Sequence, residues 1–118
     1  MTYVDGFLLP IKKKNLKAYR SMAAKGGKLW MKHGALQFLE NVGDDLDVKM
    51  GLPFPPAVKA KKDEMVVFSF IVYKSRAHRD KVNAKVMADP AMPAMMKLAM
   101  PFDPSRMFYG GFKTLVEL

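Results

Sequence analysis

A chain of 118 residues is the size of one domain, and with half of those residues apolar it can bury a core without covalent staples. There is no cysteine, which excludes a disulfide scaffold and any cysteine-based zinc site and fits a reducing cytosol. The formal net charge of +9, from 20 Lys+Arg against 11 Asp+Glu, can attract RNA, anionic lipid or acidic metabolites but does not bear on fold.

Met1 leads almost directly into a strand-like segment, Tyr3 to Leu9, with no charged region, apolar stretch and cleavage site of a secretory leader before it. No apolar run approaches the ~20 residues needed to cross a bilayer, so a cytoplasmic protein without membrane contact is expected. The first strand is rich in aromatic and branched residues and is stopped by Pro10. Asp5 and Gly6 in its middle are poor strand formers, and Gly6 suggests a bulge or a close approach to the backbone.

Asn15 is the expected N-cap of a helix ending near His33, with Gly34 just past its end. Leu16, Tyr19, Ala23, Gly26, Trp30 and His33 recur at spacings of three and four and share one face. Lys14, Lys17, Lys25, Lys28 and Lys32 follow the same rhythm on the opposite face, giving a lysine stripe toward solvent. Gly26-Gly27 in mid-helix costs ~1 kcal/mol per glycine relative to alanine, which close packing against a sheet would offset.

Ala35 to Val42 alternates as a second strand. An acidic turn and a proline-rich loop follow, and a short strand is expected over Ala57 to Lys61. Met65 to Tyr73, MVVFSFIVY, is the strongest strand, and its nearly continuous apolar run indicates cover on both faces. Ser75 caps a second long helix that runs to about Ala88, where Asp89-Pro90 stops it. A short methionine-rich helix over Met92 to Met100, a turn at Pro101 to Pro104 and a last strand over Met107 to Val116 complete the chain.

The order β-α-β-β-α-β predicts a single α+β domain over residues 1–118. Two right-handed βαβ units share one antiparallel sheet, the ferredoxin-like plait, with the first and third strands central. Both helices then cover one sheet face. The other face is left for a second copy, so a homodimer through the sheet faces is expected.

The opening MTYVDGFLLP, the stretch FSFIVYKSRAHRDKVNAKVMADP and MPFDPSRMFYGGF, together with Asp44-Asp45 and the Trp30 to Gly34 region, resemble the YbaA-like family of bacterial proteins nearly end to end. The resemblance implies a dimeric α+β barrel, two ferredoxin-like subunits packed sheet to sheet. The wider superfamily it implies includes small cofactor-independent monooxygenases, muconolactone-isomerase-like enzymes and stress-response barrels. It carries over no catalytic residue.

Two constellations stand out as ligand-binding candidates. Arg76, His78 and Arg79 lie in the first turns of the second long helix, where the helix dipole disfavours cations, so an acid or a bound anion must answer them. They would either hold a small anionic ligand, with His78 as proton carrier, or pair with Asp44, Asp45, Asp89 or Asp103 as structural fastening. Asp5, Ser69, Tyr73 and Tyr109, with Gln37 and Glu40, are polar groups on strand interiors. They would line a barrel cavity or bond one another across the dimer.

His33 and His78 form no helical ligand pair, and Asp44, Asp45 and Asp47 lack calcium-loop spacing. No metal and no organic cofactor is therefore expected. The aromatics of the first helix lie away from its lysines, so nucleic-acid binding is not expected either. Three readings of function remain: a small-molecule enzyme or binder using the barrel cavity, a structural or interaction protein, and a basic RNA-associated module.

Overall fold

The computed structural model describes residues 1–118. Four strands form one sheet: β1 (Tyr3–Lys12), β2 (Gln37–Val42), β3 (Glu64–Tyr73) and β4 (Phe108–Lys113). The helices are α1 (Leu16–Lys32), α2 (Phe54–Ala57), α3 (Arg76–Ala88) and α4 (Met92–Met96). The sheet order is β2-β3-β1-β4 with every pairing antiparallel, so the expected ferredoxin-like α+β plait is the observed fold. β1 and β3 pair along ten residues each, from Tyr3 opposite Tyr73 to Lys12 opposite Glu64.

Strand alternation divides the sheet into two unlike faces. Tyr3, Asp5, Leu9 and Ile11 of β1 and Val67, Ser69, Ile71 and Tyr73 of β3 are buried under the helices. One core cluster joins Tyr3, Ile71 and Tyr73 to Leu29 of α1 and Val82 and Val86 of α3. The other joins Leu9, Ile11 and Val67 to Tyr19 and Ala23 of α1. Full burial of a side chain such as Leu9 or Ile11 is worth ~1.5–3 kcal/mol, so this face holds most of the folding energy.

The opposite face is apolar but bare. Leu8 faces Phe68 and Phe108 across the strands, and Val4 faces Val72 and Phe112. Phe68, Phe108 and Phe112 are 51%, 56% and 62% exposed. From Val67 onward β3 alternates buried residues with exposed or half-buried ones, so the cover expected over its second face is not supplied within one copy.

Helix α1 settles onto the sheet because Gly27 has no side chain. A Cβ at Gly27 would fall 2.7 Å from a ring carbon of Phe38 on β2, so the mid-helix glycine permits this approach. Gly34 follows the helix end with φ of +110°, a conformation side-chain-bearing residues rarely adopt. Ser75 caps α3 as expected, its hydroxyl accepting the His78 N–H at 3.1 Å.

Several local expectations give way. Asn15 precedes α1, but its side chain makes no capping bond and instead donates to the Pro101 carbonyl at 3.2 Å. The strand expected over Ala57 to Lys61 is absent. α2 and a turn occupy this region, because Pro55 and Pro56 lack the N–H groups a ladder needs and suit a first helical turn. β2 begins at Gln37 rather than Ala35, α4 stops at Met96, and β4 spans only Phe108–Lys113.

Candidate functional site

The junction from β3 into α3 builds a polar cluster at one side of the sheet. Arg79 Nη1 donates to Asp5 Oδ1 at 2.7 Å and to the Tyr109 hydroxyl at 3.2 Å, while its Nε donates to Asp80 Oδ1 at 2.8 Å. The guanidinium also sits over the Tyr3 ring, 5.0 Å from its centroid. Asp5 is only 2% exposed, and burial raises its carboxyl pKa while the Arg79 charge opposes the rise. Burial also pushes the Tyr73 and Tyr109 hydroxyls up, and the nearby Asp5 charge acts in the same direction. Behind this cluster the Tyr73 hydroxyl donates to Asn83 Oδ1 at 3.4 Å, and Trp30 Nε1 donates to the same oxygen at 3.1 Å.

The structure thus brings Asp5, Tyr73, Arg79 and Tyr109 together and leaves the other three candidates apart. Arg76 is exposed and enters no ion pair. His78 accepts the Lys74 N–H at Nδ1, 2.9 Å away, and packs edge-on against Tyr73. The acids that answer Arg79 are Asp5 and Asp80. Of the four considered from sequence, Asp89 instead receives Lys32 and His33 at 3.0 and 2.7 Å, and Asp103 caps Ser105.

Ser69 belongs to a second constellation. It lies opposite Glu40 in the β2–β3 register, both on the helix-covered face. The Tyr19 hydroxyl of α1 donates to Glu40 Oε1 at 2.5 Å. Burial raises the Glu40 carboxyl above its ordinary value, and the Tyr19 and Ser69 hydroxyls offset part of the rise. Tyr19 is itself pushed well up by burial and then by its bond to Glu40.

These three groups form the polar wall of a partly open cavity of ≈ 330 Å³ lined by α1, the sheet and the segment after α3. The remaining lining is apolar: Phe7, Leu9, Trp30, Phe38, Ile71 and Phe102, with seven of the chain's 11 methionines (Met22, Met87, Met92, Met95, Met96, Met100 and Met107). An outer groove of ≈ 730 Å³ runs along α1 and β2, with Arg20, Lys28, Ala24, Met31 and Val42 in its walls. Tyr19, Ala23, Phe38 and Glu40 line both spaces and so partition them.

Sequence reading placed Tyr19 on the apolar stripe of α1 and Glu40 among the strand-interior polar groups without joining them. The available signal was that a buried tyrosine hydroxyl needs a partner. No three histidine, cysteine, aspartate or glutamate side chains converge as metal ligands. No helix is long and apolar enough to cross a membrane.

In fold, the chain is a ferredoxin-like plait of the kind seen in a dimeric ferredoxin-like protein from an uncultured marine organism, with a TM-score of 0.58, 15% identity and 100% of both chains covered. A protein of Nitrosomonas europaea assigned to antibiotic biosynthesis monooxygenases shares it too, with a TM-score of 0.56 and 12% identity over 97% of this chain and 90% of that one. The chain belongs to the DUF1428 family, proteins of unknown function, whose pattern matches residues 2–104. It is 43% identical over 117 residues to the uncharacterized protein YbaA of Escherichia coli K12, covering 99% of each.

Proposed function

We propose that this protein binds a small, largely apolar molecule in the cavity beneath α1, without a cofactor, and that it works as a homodimer. The observation that carries the reading is the largely apolar cavity with a single polar wall, the usual form of a small-molecule site. Of the strand-interior polar groups singled out from sequence, Ser69 and Glu40 lie in its lining. For Asp5, Tyr73, Arg79 and Tyr109 we infer a fastening role, since the guanidinium is already bonded to Asp5, Asp80 and Tyr109 and ties α3 to β1 and β4. Arg76 and His78 carry no ligand in this reading.

Trp30 is the only tryptophan and lines the cavity, so its fluorescence reports occupancy. Titration with uncharged apolar probes is expected to shift and saturate that emission at one probe per chain. Emission that stays constant across a panel of probes graded in size would remove the reading.

The dimer rests on the bare face carrying Phe68, Phe108 and Phe112, which is too apolar to leave in water. The marine neighbour, described as dimeric, has the same fold. Light scattering is expected to give twice the 13.3 kDa chain mass, and Phe68→Glu to return the monomer. A monomeric wild type at micromolar concentration would refute the dimer and leave the cavity reading intact.

A further inference from the structure

We propose that Glu40 is a general base that removes a proton from an enolisable, largely apolar carbonyl compound held in the cavity and passes it to the water of the outer groove. The inference rests on the cavity reading above and adds a reaction to it.

Three geometric observations carry it. Glu40 is the only charged side chain in the cavity lining, so any charge-dependent chemistry there falls to it. None of the five ion pairs includes Glu40, and its bonding partner is the Tyr19 hydroxyl, with Ser69 opposite. The same carboxylate also lines the outer groove, so a proton taken up on the inner side has a path to solvent. Arg20 and Lys28 are the other charged groups of that groove. From α1, Tyr19 faces the carboxylate, and from β3, Ser69. Burial raises the carboxyl pKa from its ordinary value, which is the direction a proton acceptor at neutral pH requires.

The step balances within the cavity. The ligand's C–H bond adjacent to its carbonyl breaks, the proton bonds to a Glu40 oxygen, and the electron pair moves onto the carbonyl oxygen as an enolate. Once Glu40 is protonated, the Tyr19 hydroxyl is free to turn its donor toward that oxygen, with Ser69 beside it. Glu40, its proton exchanged with the water of the outer groove, then returns one to the same carbon and restores the ketone, with no oxidant or reductant.

The test is hydrogen exchange in D₂O, followed by NMR, on a series of enolisable ketones from cyclohexanone to 2-tetralone. Trp30 emission is read in parallel. Wild type is expected to bind a member of the series and to speed its exchange by at least ~10²-fold over buffer. The rate should rise with pH through the carboxyl titration and level off above it, because the base acts when deprotonated. Glu40→Gln, whose amide oxygen can still accept from Tyr19, is expected to keep the Trp30 response and lose the exchange. Binding without accelerated exchange, or equal exchange in Glu40→Gln, overturns the proposal and leaves the cavity reading standing. No Trp30 response to any ketone overturns both.

Discussion

Glu40 and Glu64 are the same residue type on neighbouring strands of one sheet, yet the structure treats them in opposite ways. Glu64, at the start of β3, receives two bonds from Arg106 at 2.6 and 2.9 Å and the Lys61 N–H at 2.8 Å. Those donors hold its carboxyl down at about 2. Glu40 has a tyrosine hydroxyl, a facing serine and no cation, and burial raises it. A carboxylate closed off by a guanidinium is a clasp, because its negative charge is already used. One that meets only hydroxyls beside an apolar space keeps its basicity available.

The comparison is most exposed to substitution at the clasp. Glu64→Gln should lose about 2 kcal/mol at neutral pH, read by urea denaturation, because bonds to a charged acceptor disappear. Stability equal to wild type would break the contrast from that side. Acid titration of wild type is the next test. Glu64 has a folded pKa below its unfolded value of about 4.5, so its contribution is complete above that pH and drains away as pH falls toward about 2. In Glu64→Gln this acid limb should flatten.

Tyr19→Phe should cost ~1 kcal/mol and raise the Glu40 carboxyl further, since the lost hydroxyl was lowering it. NMR titration of the Glu40 side chain reads that shift, and a downward move would contradict the assigned role of Tyr19. The smallest effect is expected for Glu40→Gln in mild acid, roughly 0.5 kcal/mol or less. The folded state binds the Glu40 proton more tightly than the unfolded state does, so wild type loses stability as pH rises through the carboxyl titration. The amide does not, and Glu40→Gln should therefore gain on wild type at higher pH.

Element order and sheet topology were legible because period-two and period-3.6 patterns are local. MVVFSFIVY, the α1 stripe and the Ser75 cap each declare themselves within a dozen residues. The meeting of Asp5 with Arg79 was half legible: both were singled out, but their separation by 74 positions gave no sign that each was the other's partner. Glu40 with Tyr19 was harder, since the bond depends on how deeply α1 settles at Gly27, a tertiary distance. The α2 turn was missed because short apolar segments read alike as strand or helix, and here the prolines decided it.

The methionine-bearing segment from Pro90 to Ser105 hangs like a strap between two acid–base clasps. At one end Asp89 is tied to Lys32 and His33 at the close of α1, and at the other Arg106 is tied to Glu64. Between them a side chain of the main body reaches it through the Asn15 bond to Pro101. The fastenings of the strap are ionic and its inner surface is thioether. Acid strong enough to protonate Asp89 and Glu64 therefore slackens the ends without changing the lining. Oxidation of the methionines to sulfoxides makes the lining polar while the ends stay tied.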